Sequence, residues 1–255
     1  MQKLIAKLST QKDITIRENA PMCEYTSFQI GGPADLLIEP ATKDALENCC
    51  RFLAEEGITP LVIGAGSNLL VADSGIRGVV LHLAKPLNRI SVEGEYITAE
   101  AGVSLAKLAA EALSASLSGL EFASGIPGSL GGAVFMNAGA YGGEMKDVVI
   151  ETEYLTKDGT LATVRGEDHN FSYRHSIFSE EGGIVLSSRM KLTPGNPEDI
   201  RALMLELNTK RKDKQPLSFP SAGSFFKRPE GHFAGKLIEE AGSCGFGAAI
   251  KVFYL

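Results

Sequence analysis

The sequence predicts a mixed α+β fold, on three observations. Residues 42–57 carry apolar side chains at helical spacing, short aliphatic runs border glycine-rich turns, and an Asp-Gly pair separates two strand-like segments. In the first stretch Ala45, Cys49, Phe52 and Leu53 fall on one helical face, and Gly57 is placed to end the helix. Residues 60–64 then read as a short buried strand running into the loop 64–68, and residues 78–83 as another strand. Tyr96-Ile-Thr-Ala99 reads as a strand, followed by a helix capped by Ser104 with Leu105, Leu108, Ala109 and Ala112 on its inner face. Residues 148–155 and 161–164 flank Lys157-Asp-Gly-Thr160, whose Asp158-Gly159 pair suits the positive dihedrals of a hairpin turn. One more strand is expected at 184–192. At Asn196 the composition changes: an N-cap, Pro197 and two acids open a helix with Ile200, Leu203, Met204 and Leu207 as its buried face.

Composition narrows the classes further. With 255 residues, 44% of them hydrophobic and 22% charged, the chain can build a packed core, so disorder and fibrous repeats are excluded. A net charge of −6, with Lys210-Arg211-Lys212 the longest basic run, gives no electrostatic reason to bind nucleic acid. The four cysteines form no CxxC pair, which fits a reduced cytoplasm, and the first twenty residues lack the apolar stretch of a signal peptide. Residues 122–143 are uncharged, but seven Gly, Pro127 and Asn137 make them a buried glycine-rich loop rather than a membrane span.

Two glycine-rich segments carry the chemistry. Gly64-Ala-Gly-Ser-Asn-Leu69 follows a strand and lets backbone amides approach a ligand; taken alone a plain tight turn accounts for it better than a phosphate cradle, since it is neither GxGxxG nor a Walker loop. Residues 125–142 contain too many glycines for an efficient helix or strand, and Ser129 and Asn137 stand among many backbone donors. Two such loops in successive units suggest a large ligand with a central pyrophosphate. His82, His169, His175 and His232 have no metal spacing, so no metal is expected, and Tyr141 is expected to pack against ligand or core.

Six segments in fixed order resemble the UDP-N-acetylenolpyruvoylglucosamine reductase family, also called UDP-N-acetylmuramate dehydrogenase. They are residues 25–35, 64–71, 119–134, 137–142, 171–178 and the pair 221–229 with 234–242, together spanning much of residues 20–242. The resemblance implies an FAD-binding domain of the vanillyl-alcohol-oxidase (PCMH) type in two subdomains, 1–88 and 89–193. An α/β substrate-binding domain, 194–255, is expected to follow and to be incomplete. It implies a cytoplasmic, monomeric flavoprotein that uses NADPH and FAD to reduce the enolpyruvyl ether of a UDP-sugar in peptidoglycan precursor synthesis, with no nucleic-acid or membrane partner.

By the same resemblance FAD is held by Gly64, Ala65, Gly66, Ser67, Asn68, Gly125, Ile126, Gly128, Ser129, Gly132, Asn137, Gly139 and Ala140. Arg174 would hold the substrate carboxylate, for which a guanidinium fork suits developing enolate charge, and Ser224 would donate a proton. Tyr173, Lys214, Lys227 and Arg228 would contact the substrate. Ordinary readings stand beside these: a structural salt bridge for Arg174, a loop hydroxyl for Ser224, solvated charges for the lysines. Family members continue beyond the Glu-Glu-Ala-Gly motif to a catalytic glutamate, which has no counterpart after Glu240 here. Leu203, Leu207 and Leu237 are therefore expected to lack partners, and a catalytically impaired FAD- or UDP-sugar-binding remnant is the alternative reading.

Overall fold

The computed structural model describes residues 2–83, 87–215, 217–224, 226–227 and 229–242. Helix α1 (Gln2–Leu8) leads into β1 (Ile14–Pro21), which pairs antiparallel with β2 (Pro33–Pro40), Ile16 lying opposite Ile38. Helix α2 (Lys43–Glu55) connects β2 to β3 (Leu61–Ile63), and β4 (Ile76–His82) lies between β2 and β3, parallel to both. The sheet order is β1-β2-β4-β3. The side chain of Thr42 accepts a hydrogen bond from the Ala45 amide at 3.1 Å, which starts α2 where the apolar spacing begins. Strand β2 reads as a continuous apolar run because both its faces are covered. Leu36 and Ile38 enter the main core, while Ala34 and Leu37 join a smaller cluster with Met22, Ile63, Val71 and Val80. That smaller cluster supports Tyr25 and Leu69, so it fixes the turns at 25–32 and 64–71.

The second sheet is antiparallel, in the order β11-β10-β12-β6-β5. In chain order its unit runs β5 (Ile90–Glu93), β6 (Tyr96–Glu100), α3 (Leu105–Ser114), β7 (Leu117–Ser118), α4 (Leu130–Phe135), β8 (Gly139–Ala140), β9 (Gly143–Glu144), β10 (Val149–Leu155), β11 (Leu161–Arg165), α5 (Ile177–Glu181), β12 (Ile184–Lys191) and β13 (Thr193–Pro194). Ser104 caps α3 as expected, accepting from the Lys107 amide. Contact between the two units is direct: Lys43 Nζ meets Glu153 Oε1 at 2.7 Å, and the main core runs through α2, α3 and both sheets. Helices α6 (Pro197–Lys214) and α7 (Ala234–Glu240) complete the described chain.

Three expectations need correction. The glycine-rich loop contains a helix, α4, whose Leu130, Ala133 and Val134 are buried; a Cβ at Gly131 would lie 2.8 Å from the Ala101 Cβ, so glycine permits the close seating of this helix. In the 156–160 turn only Gly159 takes a positive φ, and the loop is closed instead by the Thr156 amide on the Thr160 carbonyl and by the Asp158 carboxylate accepting from Thr160. On α6 only Ile200 is buried. Leu203 is 42% exposed, Met204 and Leu207 are half-buried, and Asn208 and Arg211 turn toward the protein instead. Cys49 and Cys50 are buried on α2, where desolvation pushes the Cys49 thiol up to about 12 and Cys50 upward as well, so both are inert as nucleophiles.

Candidate functional site

The loop after β3 is shaped by close backbone approach. Gly66 has φ +60°, a Cβ there would run into the Tyr25 carbonyl oxygen, and the Ser27 amide donates to the Gly66 carbonyl at 3.1 Å. The amides of Ala65, Gly66, Ser67 and Asn68 donate to no described residue. The same holds for Gly128 and Ser129 in the loop that precedes α4. Ser67 Oγ donates to the Pro127 carbonyl at 2.7 Å, and this bond joins the two loops. Uncommitted amides on two adjoining, Cβ-poor turns form the donor array that a pyrophosphate needs, so these residues fit a dinucleotide such as FAD.

A third segment docks on the first loop. Ser27 Oγ donates to the Ser221 carbonyl at 2.6 Å, the Ser221 amide returns a bond to the Ser27 carbonyl at 3.3 Å, and Gly223 sits beside the Ser67 carbonyl and Asn68. Ser224 is thereby brought to the loop at 64–68; its hydroxyl donates to the Phe226 carbonyl at 3.1 Å. From α6, Asn208 Nδ2 donates to Ser124 Oγ at 3.2 Å, and the stem of Arg211 packs against Gly125. Burial lowers the Arg211 pKa from its ordinary value, with Tyr141 acting in the opposite direction. In the sequence Arg211 stands out only as part of the basic run Lys210-Arg211-Lys212. The available signal was its i,i+3 spacing from Asn208, which places both on one face.

Arg174 occupies a tight turn. Ser172 and His175 exchange backbone hydrogen bonds at 3.2 and 3.1 Å, and Arg174 has φ +56°, a conformation that disfavours any residue with a Cβ. The Ser176 side chain, buried, donates to the Phe135 carbonyl at 2.6 Å, and Asn137 Nδ2 donates to the Ser172 carbonyl at 3.0 Å. Arg174 lies over the ring of Tyr173, which is exposed. Behind this turn His169 is fully buried and stacked on Phe171. Its Nδ1 bonds the Gly166 carbonyl at 2.9 Å, so that nitrogen carries the proton, and Nε2 faces Thr152 Oγ1 at 2.9 Å. Desolvation lowers its pKa.

Not every expected residue presents its side chain to the site. Asn137 spends its amide inside the protein, Ile126 packs against the core, and Gly139 and Ala140 form the hairpin β8–β9. Gly132 lies in α4 with its Cα open to solvent. Lys214 and Lys227 are exposed; Arg228 lies outside the described residues. Tyr141 is 47% exposed, hence not a core residue. No hydrogen bond joins Arg174 to Ser224, which come from different elements. His82 pairs with Glu39 and His175 with Glu180. Among the described residues no group of metal-type side chains converges, and no helix is long and apolar enough to cross a membrane.

Comparisons with known proteins agree with this geometry. A family model described as an FAD binding domain matches residues 34–164, and one described as the C-terminal domain of UDP-N-acetylenolpyruvoylglucosamine reductase matches residues 215–251. The UDP-N-acetylenolpyruvoylglucosamine reductase of Caldanaerobacter subterraneus is 53% identical over 228 residues, 89% of this chain and 75% of the relative. The crystal structure of the Thermus caldophilus enzyme superposes with a TM-score of 0.78 at 38% identity, covering 91% of this chain and 81% of that one. An alkyldihydroxyacetonephosphate synthase, 16% identical with a TM-score of 0.57 over 76% of this chain and 40% of its own, shares the fold.

Proposed function

The chain belongs to the UDP-N-acetylenolpyruvoylglucosamine reductase family, and from that premise we propose which of its residues serve the NADPH- and FAD-dependent reduction of UDP-N-acetylglucosamine enolpyruvate to UDP-N-acetylmuramate. It is a flavin-dependent oxidoreductase of peptidoglycan precursor synthesis. FAD, when bound, carries the hydride from NADPH to the enolpyruvyl carbon. The observation that supports our assignment best is the Ser67–Pro127 hydrogen bond, because it sets two rows of uncommitted amides side by side.

The amides of residues 65–68, 128 and 129 would take the pyrophosphate charge without any lysine or arginine. Arg174, preformed on its tight turn, would grip the substrate carboxylate as enolate charge develops, where a planar two-pronged donor outperforms a point charge. The Ser224 hydroxyl would turn from the Phe226 carbonyl and give its proton to the carbon alpha to that carboxylate. Tyr173, Lys214, Lys227 and Arg228 would meet the sugar diphosphate. We place the FAD-binding subdomains at 1–88 and 89–193 and the substrate domain from 194 onward, and read the protein as a cytoplasmic monomer. The impaired-remnant alternative has no better support from its relatives than the reductase itself.

The test is a pair of half-reactions on purified flavoprotein. Ser224→Ala should leave flavin reduction by NADPH within twofold while slowing substrate-dependent reoxidation by roughly 10²–10⁴-fold. Equal loss in both halves, or a chain that takes up no flavin, would overturn the assignment.

A further inference from the structure

Asn137 is 2% exposed, has φ +41°, and its side chain makes three hydrogen bonds that leave neither side-chain amide proton free. Nδ2 donates to Glu144 Oε2 and to the Ser172 carbonyl, each at 3.0 Å, while Oδ1 accepts from the Lys146 amide at 2.9 Å. The orientation of the amide is determined rather than assumed. An ionised carboxylate and a carbonyl can only accept, and a backbone amide can only donate, so flipping the group would break all three bonds. Glu144 is itself held, its carboxylate paired with Lys146 Nζ at 2.9 Å and its backbone amide bonded to Asp147.

The Ser172 carbonyl is one end of the turn that carries Arg174. At the other end Ser176 Oγ donates to the Phe135 carbonyl. Both ends of a turn whose Arg174 adopts φ +56° are thus fastened to residues 135–137, at the C-terminal end of α4. A non-glycine residue keeps that conformation only where its surroundings over-determine it. Two polar bonds to residues 135–137 join the Ser172–His175 backbone pair in supplying this constraint, and Asn137 provides the one at Ser172.

We propose that Asn137 is a positioning residue which sets the orientation of Arg174 and couples it to the glycine-rich cofactor segment, instead of touching the cofactor itself. The proposal rests on the reading of Arg174 as the carboxylate-holding group. Its chemistry explains the residue type: the position requires two donors and one acceptor on a planar group, together with tolerance of left-handed backbone. Asparagine meets all of these, whereas aspartate lacks the donors and glutamine is a methylene too long.

The experiment is a double-mutant cycle on the holoenzyme. Asn137→Gly keeps the backbone conformation accessible and removes the amide; Asn137→Asp keeps the volume and removes the donors. For Asn137→Gly we expect bound FAD and the rate of flavin reduction by NADPH to stay within twofold of wild type, and substrate-dependent reoxidation to slow at least tenfold. Added to Arg174→Ala, the same change should slow reoxidation less than twofold further, because the group it positions is gone. Multiplicative losses in the double variant, equal slowing of both half-reactions, or unchanged reoxidation in Asn137→Gly would each overturn the proposal. If Arg174→Ala alone leaves reoxidation unchanged, the reading of Arg174 fails, a result distinct from the previous three. Should Asn137→Gly not fold, Asn137→Asp carries the same cycle with the same expectations.

Discussion

Residues 14–194 and residues 197–242 reach one site by different physics. In the first region the loops that would hold a dinucleotide are flanked by buried core residues, Ile63 and Val71 around one and Ala123 and Leu130 around the other, and their conformations are enforced by backbone contacts such as Gly66 on Tyr25. In the second, Ile200 is the one buried apolar side chain among the described residues, while Leu205, Leu217, Phe219, Phe226 and Phe233 are exposed. That segment is attached to the first region by Met204, which packs against the main core, and by a handful of polar bonds, chiefly Ser27–Ser221 and Asn208–Ser124. The difference implies a division of labour. Damage to the first region should cost stability and cofactor together, whereas damage to the second should cost alignment at nearly constant stability.

The strongest test of this contrast is Gly66→Ala. A left-handed backbone costs a residue with a Cβ about 1–2 kcal/mol, and the collision with the Tyr25 carbonyl adds to it, since backbone cannot rotate away. We expect a destabilisation of roughly 2 kcal/mol or more and at least a tenfold loss in FAD affinity, checked by chemical denaturation and by titrating flavin fluorescence. Intact stability with intact flavin binding would show that the loop is held less tightly than its contacts imply.

Much of this asymmetry was readable before any coordinates. Helix α2 and strands β6 and β12 follow from periodicity, because their apolar faces are dictated by one buried side, while β10 is marked by the turn at 157–160. Strand β1 was not legible: Ile14 and Ile16 reach the core only half-buried and Arg17, Glu18 and Asn19 are all exposed, so alternation covers too short a stretch to mark it. Helix α4 was hidden for the opposite reason, since its glycines serve contact with Ala101 and not local propensity. At the site the resemblance pointed to Arg174, Ser224, the amide loops and Asn137, but it gave the Asn137 side chain to the cofactor, and helical spacing puts Arg211 on one face with Asn208 without saying what that face meets; the contacts at Ser172 and Gly125 are long-range. Leu203, which helical spacing assigns to the buried face of α6, is exposed together with Leu237, while Leu207 is half-buried.

A second test uses pH on the first region. His169 is buried as the neutral imidazole and desolvation lowers its pKa, so the folded protein resists a proton that the unfolded chain accepts near the ordinary value of about 6.5. Its contribution to stability is complete above that pH and declines as pH falls toward the folded value. The stability difference between wild type and His169→Gln should therefore be larger at pH 8 than at pH 5.5 in urea denaturation. A difference that stays constant, or grows on acidification, would mean that the buried ring takes up its proton as readily as the unfolded one.

The smallest effect on stability is expected from Asn208→Ala in the second region. The lost bond joins two neutral side chains, Asn208 Nδ2 and Ser124 Oγ, both half-buried, so water can replace each partner and the net cost should be about 1 kcal/mol or less. Its position matters more than its strength. Asn208 and Arg211 meet the cofactor segment at residues 124–125, and the chain from α6 onward carries Ser221 and Ser224. Loosening this contact should leave the unfolding midpoint and the NADPH half-reaction nearly unchanged while raising the substrate concentration needed for half-maximal reoxidation severalfold. A variant that instead unfolds earlier and loses flavin would place α6 with the first region, as part of one cooperative unit rather than a tethered wall of the site.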